Sequence, residues 1–198
     1  SYNFHYLYKE LLNFCTVDLS SFYFDIRKDT LYCDTTNSHK RVSSISVLNV
    51  ITNCLLKWFA PILTFTCEEI YKIINKKGGS IHLQTFPEIP QSWKNIKLEK
   101  RWVELIKIRN QCNISIEAKR AEKIIGSSLE AEVELSLSEN NYKEYENFDF
   151  AEFLIVSRVK LKKSENLNNE IAVNTLKAKG SKCPVCWKIF SDVCDRHK

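Results

Sequence analysis

Methionine is absent from all 198 residues, and glycine and proline occur only four times each. A chain of this length ordinarily carries several methionines, so residue 1 is expected not to be an unprocessed start and the chain to be a piece of something longer. Four glycines leave little material for a phosphate-cradling loop, and neither GxGxxG nor GxxxxGK(S/T) occurs; HExxH and GxSxG are missing as well. No catalytic constellation is present, and no catalytic residue is assigned. Uninterrupted apolar runs fall short of the roughly 18 residues that span a bilayer, and the opening SYNFHYLYKE lacks the basic-then-apolar order of a signal peptide. Membrane and secreted classes are therefore not expected, and the cytoplasm is.

The composition, 44% hydrophobic and 12% aromatic, is enough for one substantial core or a main domain with a small appendage, and a monomer is expected. The net charge of +5 is unevenly placed. Residues 1–125 carry 18 Lys/Arg against 12 Asp/Glu, residues 126–156 carry 1 against 8, and residues 157–198 carry 10 against 4. Two basic zones thus flank an acidic one. Basic zones attract polyanions by counterion release, although a solvated surface has the same composition.

The period of the apolar residues changes along the chain. Phe4, Leu7, Tyr8, Leu11, Leu12 and Cys15 predict an amphipathic helix over 2–17, and Asp18, Ser20 and Ser21 offer caps for a short second one. Val42, Ile45, Leu48, Ile51, Leu55 and Phe59 predict a long helix that Ser38 caps and Pro61 ends. Thr66 is expected to cap the next, with Glu68 and Glu69 in its first turn and Lys76-Lys77-Gly78-Gly79 as its stop. After a proline-containing connector over 80–97, Trp102, Leu105, Ile108, Cys112 and Ile116 predict a second long helix from about Leu98 to Ile125, closed by Gly126. Beyond it the period falls to two. Leu129, Ala131, Val133, Leu135 and Leu137 alternate with polar residues as in a half-buried strand, and 153–161 and 170–177 are expected to be further strands joined by the polar loop 162–169. The predicted class is mainly α: a helical bundle over 1–125, a small α+β module over 126–180 and a metal knuckle over 181–198.

Of the eight cysteines, Cys15, Cys33, Cys54, Cys67 and Cys112 are scattered singly and read as buried free thiols. The other three cluster. Cys183-Pro-Val-Cys186 is followed, after seven residues, by Cys194-Asp-Arg-His197. Each pair spans one edge of a tetrahedron, three thiolates with an imidazole suit zinc, and four protein ligands leave no open position, so one structural zinc is expected. Trp187 and Phe190 lie between the pairs, as the mini-core of the knuckle or as a stacking surface for a base, with core packing the preferred expectation. Arg109, Lys119, Arg120 and Lys123 follow one another along the second long helix, where they are either a solvated face balanced by Glu117 and Glu122 or phosphate contacts. His5, His39 and His82 stand alone and are treated as incidental.

Several stretches in order resemble the C-terminal region of the bacterial-type isoleucyl-tRNA synthetase family, class I. They are YLYKELLNFCTVDLSSFYFDIRKDTLYCD (6–34), WFAPILTFTCEEIY (58–71), SIHLQTFP (80–87), EAKRAEKIIGSSLEAEV (117–133) and KCPVCWKI (182–189). The resemblance implies that the helices are most of an anticodon-binding bundle, and that the β module and knuckle form an extension approaching the anticodon stem. It implies a tRNA partner for isoleucine, contacted by Arg109, Lys119, Arg120, Lys123, Trp187 and Lys188. It also implies that adenylation with ATP and isoleucine, and editing, belong to parts carrying motifs that this sequence does not contain. The family knuckle commonly has four cysteines, and here His197 takes the fourth place. The competing expectations are a zinc-stabilised protein-interaction module, a general RNA-binding module and the equivalent region of another class I synthetase.

Overall fold

In the computed structural model the described residues are 3–76, 78–164 and 171–197. Expectations resting on Tyr2, Lys77, Glu170 and most of the loop 162–169 lie outside them. The chain forms two compact units, Ser1–Lys94 and Asn95–Lys198.

The first unit is helical. Asn3 accepts the Tyr6 amide at its side-chain oxygen (3.1 Å) and so caps α1, Phe4–Asn13. No break follows at Asp18–Ser21. A π-helical stretch, Phe14–Phe24, runs directly into α2, Asp25–Cys33, and the Ser21 hydroxyl donates backwards to the Thr16 carbonyl (2.9 Å) instead of capping a new helix. Leu11, Leu19, Ile26 and Thr30 are the buried positions along this path.

α3, His39–Phe59, ends before Pro61 as its pattern predicts, but Ser38 does not cap it through its side chain: the hydroxyl donates to the Asp34 carboxylate instead (3.0 Å). Its most apolar 18-residue window has a mean hydropathy of 1.3, so by length and composition alone it could cross a membrane. Interspersed Ser, Thr and Asn keep any uninterrupted apolar run in it well short of that length. α4, Thr64–Ile74, begins two residues before the expected cap at Thr66. The turn after α3 sets this start, because the Leu63 carbonyl already accepts the Cys67 amide (2.9 Å).

Leu56, Ala60, Cys67 and Ile81 form the core of this unit, with Phe59 and Tyr71 packed against it. Glu68 holds the following loop on α4. It accepts from the Ser80 hydroxyl (2.9 Å) and the Ile81 amide (3.0 Å) and pairs with Lys72 (3.0 Å). These contacts, Lys72 first, pull its carboxyl down to about 2.

The second unit pairs the longest helix with the strands. α5, Ile96–Ala121, is capped by Asn95, whose side chain accepts the Leu98 amide (3.0 Å), and it buries Leu105, Ile108, Arg109, Cys112 and Ile116. It does not run to Gly126. The Ile124 amide bonds back to Lys119 O (3.1 Å) and the Lys123 amide to Arg120 O (3.0 Å), with Lys123 at φ 57°. This is a Schellman stop with lysine in the left-handed position that glycine usually takes.

β1, Ala131–Leu137, is the centre of a three-stranded sheet. β2, Arg158–Lys163, runs parallel to it and β3, Ala172–Lys177, antiparallel. A parallel neighbour requires a crossover, and α6, Glu139–Tyr145, with α7, Phe150–Phe153, supplies it. The apolar run expected as a strand from 153 is therefore mostly a buried corner. Phe153 ends α7, Ile155 turns at φ 56°, and Leu154 and Val156 are buried.

One face of the sheet packs on α5, where the Ser115 and Thr175 hydroxyls share a hydrogen bond (2.7 Å). Val133, Leu135 and Leu137 are completely buried, each stabilising the unit by roughly 1.5–3 kcal/mol. Because α5 covers this face, the compact units do not divide near residue 125, where the element type changes, but between Lys94 and Asn95.

Candidate metal centre and nucleic-acid interface

The knuckle is a hairpin of two short strands, β4, Ser181–Lys182, and β5, Ile189–Phe190. Gly180 precedes it at φ 134°, where a Cβ would lie 1.9 Å from the Phe190 carbonyl oxygen, so only glycine fits. Within the hairpin the Cys183 amide donates to Lys188 O (2.9 Å) and the Trp187 amide to Cys183 O (3.0 Å). These bonds curl the CPVC turn so that both thiols point inward.

The ligand atoms of Cys183, Cys186, Cys194 and His197 all lie within 4.8 Å of one another. Cys186 Sγ is 4.0 Å from Cys194 Sγ. His197 presents Nδ1, at 3.5 Å from Cys183 Sγ and 3.4 Å from Cys194 Sγ. A tetrahedron built on ordinary zinc–sulfur and zinc–nitrogen bonds has S···S edges of about 3.8 Å and S···N edges of about 3.5 Å. Three of the separations match those edges and no pair of donors is more than 4.8 Å apart, so the four groups could hold a metal ion.

Electrostatics point the same way. Amides of Cys186 and Val185 aimed at Cys183 pull its thiol down to about 6, whereas burial beside the other sulfurs pushes Cys186 up to about 12. Crowded thiols cannot all ionise together without a cation among them. The three cysteines are buried and His197 is half-buried.

The expected RNA-facing residues separate into two sets. Arg109 is not at the surface. It is 8% exposed, its guanidinium donates to the Phe153 carbonyl, and it stacks over the Phe153 ring at 5.4 Å. Its place on the buried side of α5 gives it a packing role, and a phosphate could reach it only by dismantling that contact. Lys119, Arg120 and Lys123 end the helix. Lys119 pairs with Glu122 (2.8 Å) and Arg120 with Glu117 (2.7 Å). Arg120 and Lys123 also line an open cleft of about 400 Å³ with Glu117, Ala121, Ile125 and Gly126.

In the knuckle Lys188 is half-buried, and Trp187 departs from the preferred expectation of a mini-core. It is 59% exposed, sits at φ 63° and has the Lys182 ammonium 5.5 Å from its ring centroid. The left-handed turn after the second ligand points the indole outward, and the half-buried Phe190 and buried Ile189 do the packing. Sequence reasoning missed Ser157, which donates to Leu129 O (2.5 Å), accepts the Ile189 amide (2.6 Å) and so ties the knuckle to the sheet. No local pattern marks such a serine.

The model of the anticodon-binding domain of tRNA ligase matches residues 1–135. The chain belongs to this family. Curated relatives extend the likeness through the knuckle. It is 58% identical over 197 residues to "Isoleucine--tRNA ligase" of Pelagibacter ubique, covering 100% of this chain and 22% of the relative. The proteins of the same name from Agrobacterium fabrum and Methylacidiphilum infernorum are 39% and 41% identical over 98% and 95% of the chain, which is 21% and 20% of their lengths. The chain thus spans about a fifth of the relatives it matches.

Proposed function

We propose that this chain is the tRNA-recognition part of a cytoplasmic, monomeric isoleucine–tRNA ligase, and that it selects isoleucine tRNA through its anticodon arm. The observation that carries this reading is Trp187, held exposed and left-handed directly after a metal-ligand turn, with a lysine over its ring. An indole so placed offers a stacking surface for a splayed anticodon base, and Lys119, Arg120, Lys123 and Lys188 supply phosphate contacts. Arg109 supports the helix that carries the first three.

Cys183, Cys186, Cys194 and His197 hold one structural zinc in this reading. The ion neutralises the thiolates and closes the knuckle. ATP and isoleucine are substrates of a catalytic part outside this chain, and its own residues bind and orient the RNA.

Filter binding of isoleucine tRNA and a non-cognate tRNA across a salt series tests the proposal. Preference for the cognate tRNA with a clear salt slope is expected; equal affinity for the two sinks anticodon selection. A protein-interaction role draws on a different observation, the apolar side chains that the first unit leaves exposed, among them Phe65, Tyr32 and Leu83. It predicts no RNA affinity at all.

A further inference from the structure

β2 is an outer strand of its sheet, and its alternation separates two chemistries. Val159 and Leu161 share the α5 side, and Arg158, Lys160 and Lys162 share the other. On that second face their partners in register on β1 are Glu132, Glu134 and Ser136. Arg158 pairs with Glu132 (3.2 Å), Lys160 with Glu132 (2.5 Å) and Lys162 with Glu134 (2.9 Å), while Asn174 donates to Glu134 (3.1 Å).

The two signs lie at different depths. The side chains of Glu132 and Glu134 are 9% and 23% exposed, against 38%, 53% and 54% for Arg158, Lys160 and Lys162. The carboxylates form a lower layer that orients the cations, and the cations form the surface. Lys162 and Asn174, bonded to Glu134, hold its carboxyl below the usual range. A polyanion approaching this face meets ammonium and guanidinium groups first. The Lys162–Glu134 pair is the most exposed of these ion pairs, and a pair of that kind contributes little to stability and exchanges with another anion.

Alternate residues on a strand stand about 6.6 Å apart, which offers a regular row of cations to an extended phosphodiester chain. The row begins at Arg158, one residue after Ser157, whose hydroxyl accepts the Ile189 amide of the knuckle, so the strand that carries the row is anchored at that end.

We infer that Arg158, Lys160 and Lys162 form a track for RNA phosphates along the outer face of the sheet. The track rests on the RNA-binding reading above and extends it to a face that reading does not use.

The test is a salt series with metal-loaded full chain, using poly(U) and isoleucine tRNA as probes. Replacing both lysines (Lys160→Gln, Lys162→Gln) should lower the slope of log K against log salt by about 1.4–1.8 on either probe. A control with the same charge loss elsewhere (Lys28→Gln, Lys107→Gln) should lower it by less than half as much. An unchanged slope in the first variant, an equal fall in the control, or no wild-type binding to either probe overturns the track. If the wild type binds cognate and non-cognate tRNA equally while the slope still falls, anticodon selection fails and the track stands.

Discussion

Arg109→Met separates a packing arginine from a phosphate ligand. Methionine keeps most of the aliphatic stem and removes the guanidinium, leaving the Phe153 carbonyl without that donor and the Phe153 ring without its cation. A hydrogen bond from a charged group contributes about 1.5–3 kcal/mol, and a stacked cation a further 0.5–2 or so. Met refills part of the volume, so a net loss of about 2–3 kcal/mol is expected. The second unit, Asn95–Lys198, is of the size at which each kcal/mol moves the midpoint by about 4–8 °C. Its melting temperature should therefore fall by roughly 10–20 °C, followed by near-ultraviolet circular dichroism of the half-buried Trp102, whose ring packs edge-on against Phe153. RNA binding well below the midpoint should keep its wild-type salt slope. An unshifted melting curve together with a slope reduced by about 1 would refute the packing assignment and return Arg109 to the RNA surface.

Three further outcomes follow from the same geometry. Cobalt(II) added to the metal-free chain should give the visible bands of a tetrahedral sulfur-rich site at about one equivalent; His197→Ala should weaken binding at least tenfold, and unchanged affinity would remove His197 from the ligand set. Lys123→Gly should raise stability by about 1 kcal/mol, because glycine takes the left-handed turn without the penalty lysine bears. The same change should weaken RNA binding through the lost charge, and a lower melting temperature would contradict the Schellman assignment. Glu68 titrates near 2 when folded, below its usual value of 4.5, so its contribution is complete above pH 4.5 and is lost as pH falls towards 2. The protection of the Ile81 amide, its exchange rate set against the intrinsic rate at each pH, should fall across that window in the wild type and be low throughout it in Glu68→Ala.

The cluster that could hold a metal ion was legible in the sequence because a tetrahedral site imposes short, fixed spacings, and Cys183, Cys186, Cys194 and His197 satisfy them within 15 residues. α3, α5 and β1 were legible for a related reason. Their apolar periods of 3.6 and 2 report which face is buried without saying against what. What lay beyond reach depended on partners distant in the chain. The direction of β2 follows from the crossover through α6 and α7, and the inward turn of Arg109 from Phe153, 44 residues away. Nor does composition distinguish Trp187 from a core tryptophan, since a single left-handed dihedral decides which way the ring points. Sequence by itself determined the cysteine–histidine cluster and the amphipathic elements, because both are set by neighbours a few residues apart. Tertiary structure alone decided which cations reach solvent and which lie beneath them, because burial is a property of the packed surface.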